Sequence, residues 1–195
     1  KNTNLSKNFK INIIKELSKI KNKIPLVKAD KVRINSKEVN KNDIFFAIKG
    51  KKNDGNKYIG EAFKNKASLV VVNKVQNKFT NKRQIKVRNT LKFLTEISKI
   101  FRQNIDTNII AITGSCGKTT LKELLGNVLG KISRVSISPK SYNNKFGVPL
   151  SLLNLKHSDE FGVLEVGMDK KGEIDNLTNI IKPNVGLITN INYAH

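Results

Sequence analysis

The 195-residue chain has one cysteine, one methionine, no tryptophan and four prolines, and its 15 acidic residues face 37 basic ones. A single cysteine, Cys116, rules out a disulfide within the chain, and a lone thiol fits a reducing compartment. Aromatic residues make up only 6% of the chain, and five of the basic residues are arginines (Arg33, Arg83, Arg88, Arg102 and Arg134) against 32 lysines. Reading bases relies on arginine forks and aromatic stacking. The formal net charge of +22 therefore reads as a lysine-covered surface of the kind an A/T-rich genome drifts toward, able to attract a polyanionic small substrate. No specific nucleic-acid partner is expected, although a basic nucleic-acid-binding module stays open as an alternative. No apolar run approaches the roughly 20 residues of a membrane helix, and the polar, Asn-rich start lacks a signal-peptide core. The expectation is a soluble, cytoplasmic protein with no membrane insertion. The missing initiator methionine suggests a chain that begins inside a longer product.

The composition that is present, 38% hydrophobic and 27% charged, is that of a globular protein with enough length for a real core. Its organising stretch is Ile109 to Leu129, IIAITGSCGKTTLKELLGNVL: an apolar strand, a Gly-bracketed turn, and a helix with apolar positions at Leu121, Leu124, Leu125, Val128 and Leu129. Small residues let backbone N–H groups converge on an anion, and the helix start adds partial positive charge, so the turn predicts a phosphate site. Lys118 would neutralise β/γ phosphates and Thr119 would ligate magnesium, with Gly114, Ser115, Cys116, Gly117 and Thr120 completing an ATP cradle. The glycine spacing is G-x-x-G-K-T, because Ile112 stands where the longer phosphate-loop pattern has glycine. Cys116 has no base near it in sequence, since His157 and His195 are distant, and reads as a small loop residue.

The rest of the chain divides into two α/β units. Ile11, Ile13, Ile14, Leu17 and Ile20 mark an amphipathic helix. Asp43 to Gly50 reads as a buried strand, Asn53 to Asn56 as a turn, Tyr58 to Lys66 as a helix and Leu69 to Val72 as a β-branched strand. Thr90 to Arg102 is a helix with Leu91, Leu94, Ile97, Ile100 and Phe101 on its buried stripe. The division falls within 83–90, giving units 1–85 and 86–195. In the second unit, strands at 134–138, 162–167 and 185–191 alternate with helices at 148–155 and 173–181, which predicts a parallel sheet with ligands at the carboxyl ends of its strands. Gly114–Thr119, Ser141–Asn144, Glu165–Asp169 and Asn190–His195 should then line one crevice.

Glu165 lies in the apolar run around Val163 and Val166, where an unpaired carboxylate is costly, and a magnesium ion shared with Thr119 would satisfy it; a lysine partner at a strand edge is the alternative. Asn143 and Asn144 either orient phosphate oxygens or form an ordinary turn. His195 follows a predicted strand, where a site residue would lie, while His157 reads as surface.

Three stretches together resemble the ATP-dependent Mur ligases of peptidoglycan synthesis: TGSCGKTT at Thr113–Thr120, YNNKFGVPLSLL at Tyr142–Leu153, and LEVGMDKKGEI at Leu164–Ile174 followed by KPNVGLITNINYAH at Lys182–His195. Residues Ile34 to Val72 are similar to the family's UDP-substrate domain. The resemblance implies a small N-terminal α/β substrate domain followed by an incomplete P-loop-type parallel-sheet ATPase domain. It implies an amide ligase that activates a carboxylate as an acyl phosphate, with ATP and Mg2+ as cofactors and UDP-N-acetylmuramoyl-tripeptide and D-alanyl-D-alanine as substrates. It also implies roles for Lys118 at the transferred phosphoryl group, for Thr119 and Glu165 at one magnesium and for His195 at a second. Ser36, Lys37, Asp54, Gly55 and Asn56 fall where the family holds the uridine nucleotide. The sequence departs from the family's usual Asn at Cys116, Arg at Lys37 and His at Asn56, and a lysine cannot reproduce a guanidinium fork. Family members continue well past the histidine, so a fragment with little or no turnover of its own is expected; a monomer is the expected state. A P-loop small-molecule kinase or NTPase is the alternative enzyme class.

Overall fold

The computed structural model describes residues 28–50 and 53–192. The helix expected at Ile11–Ile20 and the candidate residue His195 lie outside the described residues. Contacts divide the chain into two compact units at Ile97/Ser98. The division expected from the sequence stood earlier, between residues 85 and 86.

The first unit is built on four parallel strands in sequential order: β1 (Val32–Arg33), β2 (Ile44–Phe46), β3 (Leu69–Val72) and β4 (Gln84–Lys86). β2 and β3 are buried along their whole length, as parallel strands covered on both faces must be. Alternation splits their side chains: Phe45, Val70 and Val72 join Val39, Ile59, Ala62 and Ala67 in one core, while Phe46 stacks on Phe93 with ring centroids 6.2 Å apart. Ile59 and Ala62 come from α1 (Ile59–Lys64), shorter than the helix expected at 58–66. The helix α2 (Thr90–Gln103) buries Phe93, Leu94, Ile97, Ser98 and Phe101. The predicted stripe included Ile100, which is exposed, and omitted Phe93.

The second unit carries a parallel sheet in the order β6-β7-β5-β8, formed by β5 (Asn108–Thr113), β6 (Val135–Ile137), β7 (Phe161–Glu165) and β8 (Val185–Ile188). The helices are α3 (Lys118–Leu129), α4 (Gly147–Leu153) and α5 (Glu173–Ile181). α4 is buried throughout, and Ser98 donates to the Pro149 carbonyl at 3.3 Å. The Arg102 guanidinium closes the end of α5 by donating to the Ile181 carbonyl at 2.7 Å and the Lys182 carbonyl at 3.0 Å.

Two sequence expectations fail here. β8 spans Val185–Ile188, shorter than the strand expected at 185–191, and among the described residues it is an edge strand paired with β5 alone, with Val185 48% and Ile188 63% exposed. On α3 the expected apolar face is reversed in part: Leu124 and Val128 are more than half exposed, while Lys122 is fully buried. The face of α3 turned toward β6 and β7 carries Lys122, and Gly126 lets the helix approach Ile137 closely there, so that face is not the one its leucines mark.

Candidate functional site

β5 delivers Thr113 to the turn, and the turn delivers Lys118 to the start of α3. Gly114 has φ +135°, and a Cβ there would press on the Thr189 hydroxyl and the Asn190 backbone; Gly117 caps α3 in the left-handed region at φ 78°. These are the positions where glycine is required, which explains the G-x-x-G spacing. The helix start aims backbone N–H groups and partial positive charge at the space in front of the turn. Lys118 folds back over it, its Nζ donating to the Gly114 carbonyl at 2.5 Å.

That space is a cleft lined by Gly114, Ser115, Lys118, Asn143, Asn144, Gly167, Met168, Asp169 and Glu173. Three of the four groups expected at the strand ends therefore share it. The fourth braces the loop from the β8 side. The Asn190 Oδ1 accepts from Ser115 N and Cys116 N, each at 3.0 Å, and the Thr189 hydroxyl donates to the Cys116 carbonyl at 2.6 Å. Asn192 N donates to Ser115 Oγ at 2.9 Å, and Asn190 Nδ2 lies 2.8 Å from the exposed Cys116 Sγ.

Glu165, at the end of β7, is 2% exposed. The Thr119 hydroxyl donates to its Oε2 at 2.9 Å, and Asn143 Nδ2 donates to its Oε1 at 2.9 Å. Lys122 Nζ stands 4.0 Å from Oε2. The carboxylate thus has protein partners without an ion: two neutral hydrogen-bond donors, Thr119 and Asn143, and the Lys122 ammonium 4.0 Å away. Asn144 Oδ1 accepts from Phe146 N and Gly147 N at 3.0 Å each, so its side chain shapes the turn just before α4.

The donor set still suits magnesium: a hydroxyl and a carboxylate, both hard oxygens, already meet at the foot of the phosphate turn. Among the described residues no group of three or more His, Cys, Asp or Glu side chains could hold a metal. A cation here would complete its shell with phosphate and water oxygens, as magnesium does in nucleotide sites. Lys122 and Ser138 were missed as site residues, whereas Asn190 falls in the group expected past the last strand. Ser138 Oγ accepts from Glu165 N at 3.1 Å, and Lys122 lies one helical turn beyond Lys118 and Thr119, a spacing that could have revealed it.

The candidate uridine residues belong to the first unit. Ser36 and Lys37 follow β1, and Asp54 to Asn56 follow β2, so both groups stand at the carboxyl end of one sheet. Ser36 is buried and donates to Glu61, and Asn65 Nδ2 donates to the Ser36 carbonyl at 2.9 Å; Lys37 is exposed. Asp54 caps the turn at Gly55–Tyr58, accepting from Asn56 Nδ2 at 2.6 Å and Asn56 N at 3.0 Å, and these bonds hold its carboxyl below the usual aspartate range. Asn56 Oδ1 is buried without a hydrogen-bond partner among the described residues.

Residues 112–195 match the Mur ligase middle domain and residues 28–102 the Mur ligase family catalytic domain. The chain is 35% identical to the UDP-N-acetylmuramoyl-tripeptide–D-alanyl-D-alanine ligase of Bacillus subtilis over 84% of its own length and 36% of the relative's. It is similar to the crystal structure of MurF from Acinetobacter baumannii, with TM-score 0.81 and 30% identity over 94% of this chain and 41% of that one. It is also similar to the MurF ligase of Thermotoga maritima solved with ADP, with TM-score 0.69 and 34% identity over 83% of this chain and 37% of that one. The chain thus spans little more than a third of the curated relative's length.

Proposed function

This chain belongs to the Mur ligase family, and from that premise we propose that it supplies the nucleotide-binding and UDP-substrate-binding parts of an ATP-dependent ligase joining D-alanyl-D-alanine to UDP-N-acetylmuramoyl-tripeptide. In this reading residues 1–85 hold the UDP-linked peptide and residues 86–195 hold ATP, and the compartment is the cytoplasm. The observation that carries it is the Thr119–Glu165–Asn143 hydrogen-bonded set at the foot of a Lys118-bearing phosphate turn.

Gly114 to Thr120 would wrap the β/γ phosphates, with Lys118 neutralising charge as the γ-phosphoryl group passes to the terminal carboxylate of the tripeptide. ADP and an acyl phosphate form. The amine of D-alanyl-D-alanine then bonds to the acyl carbon, phosphate departs with the electrons of the broken C–O bond, and the amine gives up a proton. Such chemistry asks the protein for positioning and charge balance more than for covalent help. Magnesium would supply neutralisation between the phosphates, held by Thr119 and Glu165, and His195 would help hold a second ion. Ser36, Lys37, Asp54, Gly55 and Asn56 would contact the uridine nucleotide, and Asn143 would set the Glu165 carboxylate.

The test is separate titration of ATP and of UDP-N-acetylmuramoyl-tripeptide, with magnesium, against the chain and its Lys118→Ala and Lys37→Ala variants. The first variant should lose ATP only, and the second UDP-ligand only. Binding of single-stranded DNA with neither nucleotide bound at millimolar concentration would sink the proposal.

A further inference from the structure

Lys122 is a buried charge to which the chemistry above gives no task. Its side chain is 0% exposed, and its Nζ donates to the Lys140 carbonyl at 2.6 Å. The same Nζ lies 3.4 Å from Glu123 Oε1 and 4.0 Å from Glu165 Oε2. An aliphatic side chain would fill this space without the desolvation cost of an ammonium, so the charge needs a reason. Two features of the surroundings supply it. The donors that hydrogen-bond to the Glu165 carboxylate, Thr119 and Asn143, are neutral, so they orient it without offsetting its charge. Lys140, which accepts the lysine's hydrogen bond, has left-handed backbone at φ 49° and opens the loop carrying Asn143.

We propose that Lys122 is a positioning residue that serves as a built-in counter-cation for Glu165, letting a polyphosphate dock beside that buried carboxylate before a divalent ion arrives. Through the Lys140 carbonyl it also ties the Asn143 loop to α3, so the acid is both balanced and aimed. Without it, an incoming phosphate meets an uncompensated negative charge in a poorly solvated setting, where repulsion is strong. Added magnesium offsets that repulsion, so the loss should be concentrated in metal-free binding.

The inference rests on the ATP reading, and the experiment separates the two. ATP affinity of the chain is measured by calorimetry in EDTA and in magnesium, for wild type, Lys122→Met, Lys122→Gln and the double variant Lys122→Met/Glu165→Gln. For Lys122→Met the expected loss is about 30-fold in EDTA and about threefold in magnesium, so the magnesium enhancement grows about tenfold. Lys122→Gln keeps a donor for the Lys140 carbonyl without the charge and should show the same enlarged enhancement. The double variant, neutral at both positions, should return to within about threefold of wild type in EDTA and lose most of the magnesium enhancement. If Lys122→Met does not fold, Lys122→Gln and the double variant carry the test. Equal losses in both buffers, or a Lys122→Gln variant indistinguishable from wild type, would overturn the counter-cation role while leaving ATP binding intact. A wild-type chain that binds ATP in neither buffer would overturn the ATP reading and this inference with it.

Discussion

Asp54 accepts from the backbone and side chain of Asn56, two residues away, whereas Ser115 and Cys116 donate to Asn190, 75 and 74 residues along the chain. Each turn follows a parallel strand of its own unit, the Gly114 turn directly after β5 and the Asp54 turn further beyond β2. One takes its capping bonds from within a four-residue stretch, with Gly55 N donating to the Ile48 carbonyl at 2.9 Å and Gln76 Nε2 to the Asn56 carbonyl at 2.5 Å as outside support. The other depends on β8 having found its place next to β5, because the Thr189–Asn192 segment reaches the loop only then. A locally capped turn forms early and tolerates damage elsewhere in its unit, while a loop clasped from a distance reports on the whole sheet.

Breaking the clasp at its tightest point should have the largest effect. In Gly114→Ala the new Cβ would press on Thr189 and on Asn190 O and N at 3.0 and 3.1 Å, at a φ that alanine rarely adopts. Loss of ATP affinity beyond about 100-fold is expected, with UDP-ligand affinity unchanged, as read by calorimetric titration of each ligand. Simultaneous loss of both would mean that the damage reaches past the loop. Asn190→Ala removes one acceptor shared by two loop amides and should weaken ATP about tenfold, near 1.4 kcal/mol, with little change in thermal midpoint. Tighter ATP binding in that variant would instead show that Asn190 competes with phosphate for the same N–H groups.

The same contrast explains what could be read from the sequence. The turn at Asn53–Asn56, the strand at Leu69–Val72 and the helix at Glu173–Ile181 were legible because their signals are local: turn residues, a β-branched run, a glycine before a helical period. The Gly114–Thr119 turn was legible for the same reason. The strand-end rule brought Asn190 to the same crevice, but not the individual bonds by which Thr189 and Asn190 clasp the loop, because side-chain pairing across some seventy residues has no local signal. α3 misled because its apolar positions satisfied the helical period while the face turned toward β6 and β7 carries Lys122 and Gly126. Helix boundaries moved by a residue or two, as fraying ends do.

In the first unit the comparison sharpens on Asn56, whose buried Oδ1 lacks a partner among the described residues while its Nδ2 serves Asp54. Asn56→Ala deletes both the useful bond and the unpaired acceptor, so the two stability effects offset to within about 1 kcal/mol. If the unpaired oxygen awaits the uridine nucleotide, UDP-ligand affinity falls about tenfold in the same variant, with ATP affinity unmoved. Unchanged affinity for both would make Asn56 a turn residue alone.

The smallest expected effect is the pH response of the local turn. Hydrogen bonds from the Asn56 side chain and backbone favour the ionised Asp54, and Lys49 and Lys57 add attraction, so its carboxyl titrates below the ordinary value of 3.8. A group whose folded pKa is depressed contributes stability above its unfolded pKa and loses that contribution as pH falls through the folded one. The wild-type thermal midpoint should therefore carry an extra decline below pH 3.8 that Asp54→Asn lacks. Because Asp54 is partly exposed, solvent screens the interaction and the difference between the two curves should be slight. Parallel curves through that range would mean that Asp54 is shaped by its turn without stabilising it. They would leave the distant clasp on the phosphate loop as the contact whose strength decides whether its site is formed.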